Sequence, residues 1–139
     1  MAMTILIVDD SDTMRKMVAR AVKLSGLPVS EVREAADGLA AIEQLAIKSA
    51  DLVLMDINMP RLDGMEALRR IRKDARTAQQ PIVMVSTEGS AQRIEEIRSL
   101  GAAFVRKPFS SESLVDAVVA AIGGAHEHRS LDTSSGPDF

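Results

Sequence analysis

Short apolar runs alternate with longer amphipathic stretches along most of the chain. Residues 4–8, 51–55 and 81–85 are almost continuously apolar. Runs of this length without polar alternation are typical of parallel strands that helices cover on both faces. Residues 29–35 and 103–106 form two further runs with more charge, which favours edge positions in a sheet. The pattern therefore predicts five strands, of which the first, third and fourth are interior.

Between and after the strands lie stretches whose apolar residues recur at three- and four-residue spacing, as on one face of a helix. Asp12, Asp37, Asp63 and Ser110 stand where a side chain can accept a hydrogen bond from a backbone N–H of the first turn. These four residues are the predicted N-caps of the first, second, third and fifth helices. The inward face predicted for the first helix consists of Met14, Met17, Val18, Ala21 and Val22.

The fourth helical stretch, residues 91–100, differs from the others because its apolar face is thin. Ile94, Ile97 and Leu100 are its main apolar residues, and charged residues surround them. A helix with so little apolar surface is expected to dock weakly on the sheet, and a weakly docked helix can move.

The alternation of strands and helices predicts an α/β fold with a doubly wound five-stranded parallel sheet and right-handed crossovers. Three interior and two edge strands fit the strand order 2-1-3-4-5, which is the flavodoxin-like (βα)5 arrangement. Residues 1–122 are expected to form this domain. From Gly123 onward the sequence is rich in Gly, Ser, Asp and His, so residues 123–139 are expected to form a flexible C-terminal tail.

Acidic residues stand at the ends of two predicted interior strands. Asp9 and Asp10 follow the first strand, and Asp56 follows the apolar part of the third. The predicted order places these strands side by side where the winding reverses, which is where ligands of such sheets bind. Like charges that close repel, so the carboxylates must take up protons or gather a cation. Carboxylate oxygens with room for water and a phosphoryl oxygen suit Mg²⁺.

Ser86 follows the fourth strand and Lys107 follows the fifth, at the same predicted edge of the sheet. A hydroxyl and a compact cation can bind phosphoryl oxygens, so these residues suggest phosphoryl transfer to a carboxylate. Asp56, alone on the central strand, is the predicted nucleophile. Asp10 and Asp56 would hold the metal directly, and Asp9 would help through a bound water. Phosphorylation of Asp56 would then pull the loop after Ser86 and the fourth helix inward, as in a switch.

Composition narrows the possible partners. The 139 residues carry a formal charge of −3 with Lys and Arg scattered, which gives no basic surface for nucleic acid or an anionic membrane. Cysteine is absent, so disulfides and thiolate metal sites are impossible. No glycine-rich phosphate loop is present, so ATP is not an expected ligand. The sequence has neither a signal-peptide pattern nor a membrane-spanning run, which favours a cytoplasmic protein.

Four strings in the chain resemble one family when taken together. ILIVDDSDTMRK, LVLMDINMPRLDG, PIVMVSTEG and FVRKPF, in this order, resemble the receiver domain of bacterial two-component response regulators, most closely the single-domain chemotaxis (CheY-like) type. The resemblance covers about residues 3–122. It implies that Asp56 accepts a phosphoryl group from a sensor histidine kinase. It also implies that Asp10, Asp56 and the main-chain carbonyl of Asn58 coordinate Mg²⁺ with help from Asp9.

The same resemblance implies roles for several further residues. Asn58 and Glu88 stand where family members tune hydrolysis of the acyl phosphate, and the Lys107–Pro108 peptide is expected to be cis. Phe104 occupies the position of a switch residue that is usually Tyr, so a ring can turn inward but no phenolic hydroxyl takes part. The family uses the surface of the fourth helix, fifth strand and fifth helix for partners. A monomer that controls a downstream protein, such as a flagellar motor switch, is therefore the implied mode of action.

The sequence leaves three functions open. The first is phosphorylation-dependent control of a protein partner, since the tail is too short to hold a DNA-binding unit. The second is a phosphate shuttle or sink in a phosphorelay, which would use the same site and have no target of its own. The third is a phosphohydrolase of the haloacid-dehalogenase type, whose motif matches Asp10 and Asp12 but not Met14. That enzyme would also need a substrate-capping domain, for which the chain has no room.

Overall fold

The computed structural model describes residues 2–129, in which five parallel strands alternate with five helices. The strand order β2-β1-β3-β4-β5 confirms the predicted doubly wound sheet. The strands are β1 (Met3–Val8), β2 (Val29–Ala35), β3 (Leu52–Asp56), β4 (Ile82–Ser86) and β5 (Ala103–Arg106). The helices are α1 (Asp12–Leu24), α2 (Gly38–Ile47), α3 (Gly64–Lys73), α4 (Ala91–Ser99) and α5 (Ser111–Arg129).

Two apolar layers cover the two faces of the sheet. Leu6 and Val8 of β1 point into a layer with residues of α2, α3 and α4, whereas Ile5 and Ile7 point into a layer with residues of α1 and α5. Successive side chains of a strand point to opposite faces, so a strand buried on both faces must be continuously apolar. The predicted interior positions of β1, β3 and β4 are therefore confirmed. The more polar strands β2 and β5 lie at the two edges, also as predicted.

Helix starts agree with the prediction at three of the four proposed caps. Asp37 Oδ1 accepts a hydrogen bond from Ala40 N at 2.9 Å, and Asp63 Oδ1 accepts one from Glu66 N at 2.9 Å. Ser110 Oγ likewise accepts a hydrogen bond from the N–H of the third residue after it, at 3.0 Å. A side-chain acceptor at each start satisfies a backbone donor that the helix itself leaves free.

The predicted start of α1 is wrong by one residue. Ser11 is the N-cap, and its Oγ accepts a hydrogen bond from Met14 N at 3.2 Å. Asp12 is instead the first helical residue, where a negative charge interacts favourably with the positive end of the helix dipole. Ser and Asp are about equally good N-caps, so the sequence alone does not show which of the two adjacent residues caps the helix.

The inward face predicted for α1 also needs one correction. Val18 and Val22 are the buried residues of the helix, whereas the side chain of Met17 is 58% exposed. Adjacent helical residues are about 100° apart around the axis, so a helix centred on Val18 turns its neighbour toward solvent.

Helix α4 has the thin apolar face that its sequence predicts, with Ile97 as its one buried residue. Polar contacts from α3 supplement this face. Arg69 Nε donates to Glu96 Oε2 at 2.7 Å and Arg69 Nη2 donates to Glu96 Oε1 at 3.1 Å, which forms a two-bond ion pair. Arg72 Nε donates to the carbonyl of Leu100 at the end of α4. Helix α4 is therefore attached to α3 as well as to the sheet.

Helix α5 continues past the predicted domain boundary. The sequence predicts that the domain ends at residue 122, but α5 runs through Gly123 to Arg129. Glycine costs only about 1 kcal/mol relative to alanine inside a helix, so a glycine pair weakens the helix without ending it. Residues 130–139 of the predicted tail lie outside the described residues, and their flexibility stays a prediction. No helix of the described part has the length and apolarity needed to span a bilayer.

Replacing Asp37 with Ala should destabilise the fold by about 1–2 kcal/mol, because a buried N-cap is lost. The residue also pairs with Arg61, whose Nε lies 2.8 Å from Asp37 Oδ2. Urea unfolding of the wild type and of Asp37→Ala checks this prediction. Asp37→Asn, which keeps an acceptor for Ala40 N, should lose less, and equal stability of wild type and Asp37→Ala would contradict it.

The effect of Asp37 should depend on pH with a definite sign. The hydrogen bond from Ala40 N, helped by Arg61, lowers the pKa of Asp37 in the folded state. A lowered folded pKa gives stabilisation that is complete above the unfolded pKa of about 3.9 and is lost as pH falls through the folded pKa. The stability difference between wild type and Asp37→Ala should therefore be constant near neutrality and shrink only below about pH 4.

Candidate functional site

Three carboxylates meet at the carboxyl ends of β1 and β3. Val8 pairs with Met55 in the sheet, so the chain leaves both strands at the same level. One oxygen from each of Asp9, Asp10 and Asp56 lies within 4.8 Å of the others. The structure thus brings together the three acidic residues that the sequence predicts to share this edge.

The three carboxylates differ in how they are held. Asp9 is buried, and its Oδ1 accepts a hydrogen bond from Ser11 N at 2.9 Å. Asp56 is half-buried, and its Oδ1 accepts a hydrogen bond from Ile57 N at 2.8 Å. Asp10 is exposed, and among residues 2–123 its carboxylate accepts no hydrogen bond. Asp10 is consequently positioned by its main chain alone.

Lys107 supplies the cation of the site. Its Nζ lies 3.4 Å from Asp9 Oδ2 and 3.9 Å from Asp56 Oδ1, and only 13% of its side chain is exposed. The hydrogen bond from Lys107 N to the carbonyl of Ser86, at 2.9 Å, ties its main chain to the end of β4. One ammonium therefore faces two carboxylates and lies closer to Asp9 than to the predicted nucleophile.

The surroundings of Asp56 make its ionisation less favourable than in the unfolded chain. Burial raises the pKa of the Asp56 carboxyl above its ordinary value, and the charges of Asp9 and Asp10 raise it further. Lys107 and the hydrogen bond from Ile57 N lower that pKa without offsetting the rise. Without a second cation, ionisation of Asp56 therefore costs stability relative to the unfolded chain.

The donor set fits a small hard cation. Mg²⁺ binds carboxylate and carbonyl oxygens at about 2.0–2.1 Å and keeps several waters, so two or three carboxylates on an open edge are enough. Among residues 2–123 this is the one cluster of three acidic, His or Cys side chains close enough to share an ion. Asp9, Asp10 and Asp56 are the residues that would hold Mg²⁺, and the exposure of Asp10 leaves solvent access for its waters.

Ser86 is the last residue of β4 and is buried. It follows Val85, which pairs with Asp56 in the sheet. Its Oγ accepts a hydrogen bond from Glu88 N at 3.1 Å, and in the described chain the hydroxyl donates none. Asn58 and Glu88 are exposed in the loops that follow β3 and β4. The side chains of these two loop residues make no hydrogen bond among the described residues, which leaves them open to solvent.

Phe104 on β5 is half-buried and contacts the loop that follows β4. A Cβ built on Gly89 would lie 2.7 Å from Phe104 Cζ, so the ring rests directly against this glycine. The guanidinium of Arg106 lies 5.6 Å from the centre of the same ring. The Lys107–Pro108 peptide that follows is cis. The aromatic residue is therefore in contact with the loop that carries Glu88 and begins at Ser86.

Gly64 is a site residue that the sequence analysis did not identify. A Cβ at this position would lie 2.1 Å from the main-chain oxygen of Asp56, and Gly64 N donates to the carbonyl of Ile57 at 2.7 Å. The start of α3 thus packs against the backbone that carries the predicted nucleophile. The Asp63–Gly64 pair is a turn signal, but this close approach is visible only in three dimensions.

Comparisons with known proteins agree on one family. A model of the response regulator receiver domain matches residues 5–119. The chain is 35% identical over 125 residues to the chemotaxis protein CheY1 of Helicobacter pylori, which is 87% of this chain and 98% of that protein. It is 39% identical to the chemotaxis protein CheY of Bacillus subtilis over 119 residues, and this alignment covers 85% of this chain and 96% of that protein. This chain belongs to the response regulator receiver domain family.

Solved structures of receiver proteins share the architecture of this receiver domain. The chemotaxis response regulator CheY4 of Vibrio cholerae superposes with a TM-score of 0.74 at 31% identity, covering 87% of this chain and 99% of that one. A putative response regulator from Chloroflexus aurantiacus superposes with a TM-score of 0.77 at 31% identity, covering 88% and 99%. Receiver domains bind Mg²⁺ at an acidic pocket, and the corresponding pocket here is the cluster of Asp9, Asp10 and Asp56.

In a metal chelator at pH 7, Asp56→Asn should have a higher Tm than the wild type. In the wild type the pKa of the Asp56 carboxyl is raised, so its ionisation destabilises the folded state. This loss of stability appears as pH rises from the unfolded pKa toward the folded one. The Tm difference should therefore vanish below about pH 4, where the carboxyl is protonated in both states. Asp51→Asn, one residue before the same strand, should gain nothing, since Asp51 lies outside the acidic cluster and its Oδ2 accepts a hydrogen bond from Thr4 N at 2.7 Å. A Tm of Asp56→Asn at or below that of wild type in chelator would refute this electrostatic account.

Gly64→Ala should destabilise the receiver domain by about 2 kcal/mol, because the new methyl group must displace the backbone at Asp56. Gly123→Ala is a matched control. A Cβ on Gly123 meets nothing within 4 Å inside α5, so this substitution should stabilise by about 0.5–1 kcal/mol. Denaturant unfolding of both variants measures the two effects, and a stabilising Gly64→Ala would show that the close approach is absent in solution.

Proposed function

We propose that this receiver domain accepts a phosphoryl group on Asp56 from a sensor histidine kinase, in a reaction that depends on Mg²⁺. The observation that supports this proposal is the meeting of three carboxylates with one ammonium at the edge of the sheet. Lys107 Nζ lies 3.4 Å from Asp9 and 3.9 Å from Asp56, beside a cluster whose oxygens can share one ion. The proposed cofactor is Mg²⁺, bound by Asp10, Asp56 and the main-chain carbonyl of Asn58, with help from Asp9 through a bound water.

Asp56 Oδ2 is the proposed nucleophile. Oδ1 already accepts a hydrogen bond from Ile57 N, whereas in the described chain Oδ2 accepts none. Oδ2 forms a bond to phosphorus while the bond between phosphorus and the imidazole nitrogen of the donor histidine breaks. The electron pair of that bond stays on the imidazole, which is then free to take up a proton. Bound Mg²⁺ would supply positive charge next to the phosphoryl oxygens.

Lys107 and Ser86 are the proposed phosphoryl contacts. The ammonium of Lys107 can move the short distance from Asp9 to a phosphoryl oxygen, where it forms a charge-assisted hydrogen bond. The Ser86 hydroxyl has its hydrogen available, because its oxygen is the acceptor in its contact with Glu88 N. Both groups would bind phosphorylated Asp56 more tightly than the bare carboxylate, which shifts the population toward the conformation in which they reach it.

The proposed switch runs from Ser86 to the surface of α4, β5 and α5. Movement of Ser86 carries the loop through Glu88 to Gly89, which rests on the ring of Phe104. Phe104, Ile94 and Leu100 line a groove of about 1050 Å³ between α4 and α5. Rotation of the Phe104 ring would change the shape of this groove, and Asn58 and Glu88 would set how long the phosphorylated state lasts.

The proposed partner is a protein that binds this groove when Asp56 is phosphorylated. The relatives from Helicobacter pylori and Bacillus subtilis are named chemotaxis proteins. By this similarity we propose that the receiver domain acts in chemotaxis or a related signalling pathway, on a target such as a flagellar motor switch. A target of its own would bind in this groove, whereas a phosphate sink would need only the phosphorylation site.

Incubation with Mg²⁺ and a small acyl phosphate should add one base-labile phosphate to the wild type, and mass spectrometry measures it. Asp56→Asn should remain unlabelled because it lacks the carboxylate nucleophile. Asp51→Asn, which removes the carboxylate just before the same strand, should be labelled like the wild type. Equal labelling of wild type and Asp56→Asn would show that Asp56 is not the nucleophile. Labelling that a chelator does not reduce would show that the reaction does not depend on a metal.

A further inference from the structure

Arg15 connects three parts of the molecule beside the acidic cluster. Its Nη1 donates to the main-chain carbonyl of Asp9 at 2.7 Å, and its Nε donates to Glu34 Oε1 at 2.7 Å. Its Nη2 also lies 3.2 Å from Asp12 Oδ1. Only 14% of the Arg15 side chain is exposed. The guanidinium therefore ties the loop after β1 to both helix α1 and the edge strand β2.

The carbonyl that Arg15 holds belongs to the peptide between Asp9 and Asp10. On the N-terminal side of this peptide, Asp9 is fixed by a hydrogen bond from its N–H to the Ala35 carbonyl at 3.1 Å. Its carboxylate is fixed by Ser11 N. Asp10 lacks such support, since its carboxylate accepts no hydrogen bond from any of residues 2–123. The orientation of this peptide therefore decides where the Asp10 carboxylate lies.

Repulsion within the cluster would displace Asp10 by turning this peptide. Three carboxylates with one ammonium carry excess negative charge, and the least restrained of them, Asp10, can relieve the repulsion by moving away. We propose that Arg15 is a positioning residue for the metal site, which holds the Asp9–Asp10 peptide so that Asp10 faces Asp56. This inference rests on the proposed function, because it assumes that the cluster binds Mg²⁺.

The role of Arg15 is geometric and does not come from its charge. Asp12 and Glu34 lie next to the guanidinium and balance its charge locally. A planar guanidinium can donate to the Asp9 carbonyl and to both carboxylates at once, whereas an ammonium at the end of a flexible chain cannot reproduce this fork. Arg15→Lys therefore keeps the charge and removes the geometry.

The test is a calorimetric titration of the phosphate-free protein with MgCl₂. Groups that orient metal ligands typically change metal affinity by about 10- to 100-fold when they are mutated, so the Kd of Arg15→Lys for Mg²⁺ should rise about tenfold. Lys16→Met is the matched control. Lys16 is the next residue of α1 and also pairs with Asp12, at 3.3 Å, but it does not contact the Asp9 carbonyl. The Kd of Lys16→Met should stay within twofold of the wild type.

Labelling with the acyl phosphate gives a second measurement that separates positioning from stability. For Arg15→Lys, the Mg²⁺ concentration at half-maximal rate should rise about as much as the Kd, while the rate at saturating Mg²⁺ stays close to wild type. A variant that is merely less stable would lower the saturating rate or the Tm and leave the Mg²⁺ dependence unchanged, and that result would overturn the inference.

The remaining outcomes separate this inference from the proposed function. A Kd of Arg15→Lys within twofold of wild type, or an equal loss in Lys16→Met, would overturn the role of Arg15 and leave the metal site intact. A wild type that binds no Mg²⁺ would overturn both. If Arg15→Lys does not fold, Glu34→Ala replaces it, since this exposed change releases Arg15 Nε. Its Kd should rise, though by less than tenfold, and an unchanged Kd would overturn the inference.

Discussion

The repulsion among three carboxylates at one edge of the sheet is the constraint on which the rest of this structure depends. Asp9, Asp10 and Asp56 lie within 4.8 Å of one another, and Lys107 alone cannot balance them. Burial of Asp56 makes the imbalance worse and raises its pKa. A fold that holds these groups together without a cation does so at a cost in stability, and the same arrangement makes divalent ions and phosphoryl oxygens its natural ligands.

The sheet supplies the rigidity that this arrangement requires. Strands β1 and β3 are buried on both faces, and their parallel pairing, in which Val8 lies beside Met55, holds their carboxyl ends at one level. Contacts outside the sheet then refine the loops. Gly64 lets α3 approach the main chain of Asp56, and Arg15 fixes the peptide after Asp9. By contrast, α4 buries only Ile97 and relies partly on Arg69, which suits the element proposed to respond to phosphorylation.

The sequence predicted the features that depend on local pattern or on strand order. Continuous apolar runs identified the interior strands, and the ends of those runs located Asp9, Asp10 and Asp56. What it could not predict depends on distances between residues far apart in the chain. The contact of Arg15 with Glu34 and the clash that a side chain at Gly64 would cause are of this kind. Small energy differences account for the other errors, such as the cap of α1 and the continuation of α5 through Gly123.

The position of a divalent ion in crystals of the receiver domain grown with MnCl₂ would test the metal site most directly, since Mn²⁺ prefers the same oxygen ligands as Mg²⁺ and scatters anomalously. We expect a single strong anomalous peak at the carboxyl ends of β1 and β3, bonded to one oxygen each of Asp10 and Asp56 and to the carbonyl of Asn58, with Asp9 contacting a bound water. An acidic cluster without such a peak, with the ion bound elsewhere or coordinated by only one of the two strands, would contradict this expectation.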